Sequence, residues 1–215
     1  MYDIIDIDHW KRKDLFTFFK TYDNPTWDLI SEVNITTFYK AIKEKDAPFF
    51  LSFLYVASAV CNSIDELKCR IDEEGHVRQY HHLHPGSTIL YENGTYGYGY
   101  FDFHTDFRQF ITEAKIELET QKNKKGVDSK DDDLARIYFS PIPWVSFSGF
   151  RHPFRAGGNI SIPMIVFGKH FERNGERFLP VGLTLHHGLA DGYHAGLFFN
   201  QLQDKLYYPE SYLSA

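Results

Sequence analysis

The sequence predicts an α/β fold of the α+β two-layer sandwich kind, one large mixed β-sheet flanked by helices, in a single domain over residues 1–215. Three observations carry this. Strand-like and helix-like runs are interspersed along the chain with no repeat and no linker. The composition is 43% hydrophobic and 17% aromatic, with 20 Phe and 14 Tyr, which suits thick packing of sheet on helix or buried subunit contacts. The length of 215 residues fits one large domain or two small ones, and the absence of a linker selects one.

The elements follow in order. Asp8 is placed to cap a helix over about residues 9–20, with Trp10, Leu15, Phe16 and Phe19 as its apolar residues. Ile30 to Ile35 is β-branched enough for a strand. Thr37 to Lys45 reads as a short helix, and Pro48 opens a second over Phe49 to Val60 that is apolar nearly all round and therefore buried. Short strands are expected at Cys69–Ile71, Val77–Tyr80, Ser87–Tyr91 and Tyr96–Phe103, separated by turns at Glu74-Gly75, Pro85-Gly86 and Asn93-Gly94. Phe107, Phe110, Ile111, Ala114 and Leu118 recur at helical spacing within 105–120, with Thr105 as cap. Residues 121–133 read as a charged surface loop. Strands are expected at Arg136–Phe147, Ile160–Phe171 and Phe178–Leu185, the last two joined by an Asn174-Gly175 hairpin, and a final helix at Tyr193–Leu206.

The net charge of −6, with no basic block among the aromatics, argues against nucleic acid as a partner. No apolar run reaches the length of a membrane span, and the N-terminus has no secretion-signal pattern. Cys61 and Cys69 fit no metal spacing and read as free buried thiols, so the cytoplasm is the expected compartment. His81-His82-Leu83-His84 has no partner spaced to close a metal site. The alternation of Tyr and Gly over Tyr96–Tyr100 lacks the strand–turn–helix setting of a phosphate loop and suits a wall that something approaches closely.

The chemistry concentrates at Leu185-His186-His187-Gly188-Leu189-Ala190-Asp191-Gly192, between a strand and a helix. A histidine at a strand end is held by backbone yet can face a cleft, and near neutral pH it can take and return a proton. Asp191 either orients His187 or is a structural carboxylate turned the other way. A metal site from His187, Asp191 and His194 lacks a second ligand cluster, so no metal is expected.

Together with Trp10-Lys11-Arg12-Lys13, Val33-Asn34-Ile35-Thr36, Ser140-Pro141-Ile142-Pro143-Trp144-Val145-Ser146-Phe147, Pro163 to Lys169 and the closing Leu185 to Gln203, this stretch resembles the chloramphenicol acetyltransferase family, of the CoA-dependent acyltransferase superfamily, in the same order along nearly the full length. The resemblance implies a homotrimer with active sites at subunit interfaces, acetyl-CoA as co-substrate and a small hydroxyl-bearing acceptor. It implies His187 as general base, Ser140 as oxyanion donor, and an ion pair of Asp191 with Arg12 that braces the histidine loop. Trp144, Lys169, His170 and Phe50 fall where the family meets CoA, and Phe19, Asp23, Tyr96, Phe150, His152 and Val166 fall on the acceptor side.

Three departures follow from the same matches. A family threonine near the oxyanion falls on Val166, which has no hydroxyl. A family lysine falls on Pro48, with Lys43 and Lys45 close enough to compensate. Asp23 and His152 stand where the family has aliphatic pocket residues, so a more polar acceptor than chloramphenicol is expected, since unpaired buried polar groups cost free energy. The competing readings are a catalytically weak small-molecule binding protein on this fold, and a core like that of dihydrolipoamide acyltransferases, for which a lipoyl domain and an Ala/Pro linker are lacking.

Overall fold

The computed structural model describes residues 1–122, 124, 126, 134–154 and 160–213. Most of the predicted loop 121–133 lies outside them.

The larger sheet runs in the order β2 (Thr26–Asn34), β10 (Glu176–His186), β8 (Met164–Phe167), β7 (Arg136–Pro141), β5 (His84–Leu90) and β6 (Tyr96–Tyr100), with β9 (Phe171–Arg173) paired to β10. It is mixed: β5, β7 and β8 run parallel, and the outer pairings are antiparallel. A smaller sheet of β1 (Tyr2–Ile4), β4 (Val77–Tyr80) and β3 (Cys69–Ile71) stands beside it. The helices are α1 (Lys13–Phe19), α2 (Thr36–Glu44), α3 (Phe49–Ser63), α4 (Phe107–Lys122), α5 (Gly192–Tyr207) and α6 (Glu210–Leu213).

Strand alternation divides the large sheet into two unlike faces. Ile137, Phe139, Ile165, Phe167, Val181, Leu183 and Leu185 point into one core with α3, α4 and α5. Tyr138, Ser140, Met164, Tyr98 and Tyr100 alternate with them, are less buried, and point to the other side. The buried α3 is as its composition predicts, with Leu51 to Ser58 buried throughout.

Several expected boundaries move, each for a visible reason. The first helix starts at Lys13: residues Ile7–His9 form a 3₁₀ turn capped by Asp6, whose Oδ1 accepts from the Asp8 amide, while Asp8 itself binds Lys13 Nζ at 2.7 Å. Pro85-Gly86 is not a turn but part of β5. Gly86 lies opposite Tyr100 on one side and Tyr138 on the other, and a Cβ there would meet both rings at 3.2–3.3 Å. The fourth helix begins at Phe107, and its cap is Asp106, which accepts from the Gln109 amide at 2.7 Å; Thr105 instead offers its carbonyl to Tyr55. The strand predicted over Arg136–Phe147 stops at Pro141, where Pro141 and Pro143 remove ladder donors. The strand predicted over Ile160–Phe171 covers only Met164–Phe167 before the chain turns away at Gly168, with the Lys169 amide bonded to Val145 O at 2.9 Å. The Asn174-Gly175 hairpin is present, both residues at positive φ (55° and 80°), as a two-residue primed turn requires.

One buried charge has no counterpart in the sequence reading. Arg70 is fully inaccessible and donates to the carbonyls of Leu67, Cys69, Leu134 and Arg136 at 2.7–2.9 Å. It ties the small sheet to the start of β7, and burial lowers its pKa to about 10. Cys61 and Cys69 are free and buried, with their thiols pushed up to about 12.

Candidate active site

His187 stands one residue past the end of β10. Its amide donates to Pro25 O at 2.8 Å, which fixes the backbone against the entry to β2. Its ring stacks on Phe19 with centroids 4.2 Å apart and planes 7° apart, and Trp27 lies on it at 5.4 Å. Nδ1 is buried with no hydrogen-bond partner among the described residues. The Trp27 indole also donates to Ala190 O at 3.2 Å, so one tryptophan holds both the ring and its loop.

Asp191 spends both oxygens away from His187. Oδ2 accepts from Arg12 at 2.8 Å, while Oδ1 accepts from the Tyr193 amide at 3.1 Å and lies 2.9 Å from His194 Nδ1. It caps α5, and despite its partial burial Arg12 holds its carboxyl below the usual range. Arg12 is 5% exposed and His194 also reaches Glu66, so a charged network underlies the loop. The geometry is that of a brace and contains no Asp–His couple to His187. Nor do His187, Asp191 and His194 converge on one point; among the described residues three such ligand atoms meet only at Asp72, Glu74 and His76, where Asp72 is already held by Arg78 at 2.8 Å.

His186 is structural. Its Nδ1 accepts from the Gly188 amide at 3.1 Å, and burial, aided by the neighbouring His187, lowers its pKa to about 4. Between pH 6.5 and 4 the folded chain therefore binds fewer protons at this site than the unfolded chain. The stabilisation is complete above pH 6.5 and is lost as pH falls toward 4, by about 3 kcal/mol in all. Thermal unfolding should shift to lower temperature from pH 7 to pH 5, and His186→Gln should flatten that dependence.

Ser140 sits near the end of β7, directly beside Val166 of β8 in register. The end of this strand divides two cavities. On the helix-free face a cavity of about 240 Å³ is lined by Ser140, Tyr96, Tyr98, Tyr138, Phe150 and His152, among others. A larger cavity of about 840 Å³ begins at the next residue, Pro141, and runs past Phe50, Lys169 and His170. Thr88 lines both.

Of the residues proposed from sequence for CoA, Phe50, Lys169 and His170 line the large cavity, whereas Trp144 does not line it and stands 65% exposed. His170 meets the ring of Tyr39 at 5.2 Å, and burial, then Arg177, holds its pKa below the usual value. Of the acceptor-side residues, Tyr96, Phe150 and His152 join Ser140. Phe19 is with His187, Asp23 is exposed, and Val166 is buried over Gly182, where a Cβ would sit 2.7 Å from its Cγ1. Sequence reasoning missed Tyr39, Lys115 and Lys122 at the large cavity and Tyr138 at the small one; the Tyr96–Tyr100 run, expected as a wall, does line the small cavity. Period-2 alternation from Ser140 would have pointed to Tyr138; nothing local marks the α4 lysines. Gly97 and Gly99 face inward, where the Tyr91 hydroxyl and the Ile89 and Phe101 side chains occupy the space, so it is the protein's own core that approaches them.

Ser140 and His187 are widely separated within one chain. Ser140 pairs across Val166 with Gly182 of β10, and His187 lies five residues further on, one past the end of that strand. Two strand spacings and five strand residues place their Cα atoms roughly 15–20 Å apart, beyond what the two side chains can close over one reacting atom.

The mixed sheet with its strand-end histidine is an architecture shared with known acyltransferases. The structure aligns with a dihydrolipoamide acetyltransferase from Azotobacter vinelandii at TM-score 0.67 and 15% identity, over 93% of this chain and 88% of that one, a likeness of fold. A family model described as chloramphenicol acetyltransferase matches residues 1–203, and the chain belongs to that family. Chloramphenicol acetyltransferases of Clostridium butyricum and Staphylococcus aureus are each 28% identical to it, over 94% and 97% of both chains respectively. A solved chloramphenicol acetyltransferase structure superposes at TM-score 0.89 with 31% identity, covering 96% of this chain and all of that one.

Proposed function

We propose that the chain is an acetyl-CoA-dependent O-acetyltransferase that acts as a homotrimer, each active site using His187 of one copy and Ser140 of the next. The observation that carries this is the separation of His187 from Ser140, with Ser140 at the meeting of two cavities. A general base must lie within hydrogen-bond reach of the proton it takes, and an oxyanion donor within about 3 Å of the developing charge. Both conditions are met by a second copy that brings its His187 to the helix-free face. The exposed apolar side chains Leu15, Phe18 and Tyr22, beside Phe19 and His187, supply the surface for that contact.

The large cavity suits CoA: its walls are apolar, while Lys43, Lys115, Lys122 and Lys169 offer cations to phosphate groups. The small cavity takes the acceptor. With Nδ1 of His187 buried, Nε2 takes the proton of the acceptor hydroxyl, whose oxygen attacks the thioester carbonyl. A C–O bond forms, and the oxyanion accepts the Ser140 hydroxyl. The C–S bond then breaks, His187 returns the proton to the thiolate, and the acetyl ester and CoA leave. One oxyanion donor of this kind is worth about 2.7–4 kcal/mol.

Val166, beside Ser140 and without a hydroxyl, favours a second reading, a ligand-binding protein of low turnover. Thiol release from acetyl-CoA with a panel of alcohols, chloramphenicol included, separates the two. Alcohol-dependent release and a gel-filtration mass of about 75 kDa, three chains of 25.2 kDa, are expected. CoA binding without release for any alcohol would establish the second reading.

A further inference from the structure

The loop that carries His187 rests on more than the pair of Asp191 with Arg12. Arg12 gives Asp191 one N–H, from Nη1 at 2.8 Å, and its Nε and Nη2 are buried with no partner among the described residues. A single hydrogen bond fixes a distance and leaves rotation about it free, which a bidentate pair does not. A second fixed point starts from the preceding residue. Lys11 Nζ lies 2.8 Å from Glu66 Oε1, and the same oxygen lies 3.3 Å from His194 Nε2. His194 Nδ1 in turn lies 2.9 Å from Asp191 Oδ1 and 3.2 Å from the Asp191 amide nitrogen. The five side chains thus close a ring through the Lys11–Arg12 peptide.

The ring joins separate parts of the fold. Lys11 and Arg12 precede α1, whose Phe19 stacks on His187. Glu66 belongs to a 3₁₀ turn, Asp65–Lys68, that leads into β3. Asp191 caps α5, and His194 lies in its first turn. The same elements share an apolar cluster of Phe16, Cys69, Val77 and the loop residue Leu189. Arg12 and His194 are buried and the Glu66 side chain is 12% exposed, so water competes little for these contacts.

Glu66 is engaged in either charge state of His194. With Nδ1 accepting from the Asp191 amide, a neutral ring carries its proton on Nε2, the nitrogen beside the Glu66 carboxylate. A doubly protonated ring keeps that proton and donates to Asp191 Oδ1 as well. Although burial works against it, the Lys11 hydrogen bond holds the Glu66 carboxyl below the usual range, so it is charged at neutral pH.

We propose that Glu66 and His194 are positioning residues for His187, tying the α5 end of its loop to the Asp65–Lys68 turn as Arg12 ties it to α1. Neither lines either cavity described above, so neither acts by touching a substrate. The proposal rests on His187 being the general base of the acetyltransferase.

In the full-length protein, Glu66→Ala and His194→Ala should each lower kcat about ten- to a hundredfold, the cost of a reacting group displaced by about an ångström. KM for the alcohol and calorimetric affinity for CoA should be unchanged, which also verifies that the variants fold. The double variant should be no slower than the slower single, because both act through one chain of contacts. Glu66→Gln, which keeps the oxygen without the charge, should recover part of the loss. Lys13→Ala, which breaks an exposed pair with Asp8 at the same end of α1, should leave kcat unaltered.

A second readout is independent of turnover. Protons held over an aromatic face resonate upfield, so the stack on Phe19 displaces the His187 ring signal in histidine-labelled protein. His187→Gln assigns that signal by its loss. In Glu66→Ala it should move back toward the position of an unstacked histidine. Single variants with wild-type kcat, a double variant in which the losses multiply, or a His187 signal that Glu66→Ala leaves in place overturns the proposal. If the wild type acetylates no alcohol at all, the acetyltransferase reading fails by itself, and the resonance decides alone: a signal released by Glu66→Ala supports the positioning role, and an unmoved one refutes it.

Discussion

Replacing His187 with alanine should lower kcat for acetyl transfer about a thousandfold, within the range for removal of a positioned general base, while calorimetric binding of CoA is unchanged. The effect should be this large because no neighbour can substitute. His186 is bound through Nδ1 to the Gly188 amide and is kept neutral by burial. Asp191 has both oxygens occupied by Arg12, Tyr193 and His194. CoA binding should be spared because His187 contacts Phe19 and Trp27 and lines neither cavity. Stopped assays of product ester and isothermal titration with CoA measure the two quantities separately. A variant that kept more than a tenth of wild-type kcat would move the base to another residue.

The second large effect is a recovery. His187→Ala and Ser140→Ala are each expected to be nearly inactive alone, yet refolding them together should restore activity. A mixed trimer contains a boundary at which intact His187 comes from one variant and intact Ser140 from the other. Random assembly of equal amounts in a cyclic trimer makes about a quarter of all sites complete, so the mixture should reach roughly that fraction of wild-type turnover. Were both residues of a site drawn from one chain, mixing would give only the average of two inactive proteins.

Much of the frame was legible in the sequence because its signals are local. The nearly all-apolar run after Pro48, the 3.6 period through Phe107, Phe110, Ile111 and Ala114, and the Asn174-Gly175 turn each act within a few residues. Errors fall where a distant residue decides. Gly86 reads as a turn from its neighbours but is small because Tyr100 and Tyr138 crowd it from two other strands. The β8 segment ends early because Val145 captures the Lys169 amide. Arg70 carries no local mark, since all its partners are backbone carbonyls gathered by the fold. The site divides in the same way. Motif resemblance names His187, Asp191, Arg12 and Ser140, and the Tyr–Gly alternation marks one wall, whereas the lysines of α4 and Tyr138 emerge only when the strands are laid side by side.

The two unlike faces of the large sheet have a consequence for how such an enzyme can change. Along β7, Ile137 and Phe139 belong to the helix-covered core, and Tyr138 and Ser140 belong to the cavity side. Because neighbouring positions on a strand look in opposite directions, substitutions on the cavity side bear less on the packing under α3 and α5 than substitutions at Ile137 or Phe139 do. Residues such as Tyr98 are therefore freer to vary than their core-facing neighbours, and the small cavity can change its lining while the scaffold behind it is kept.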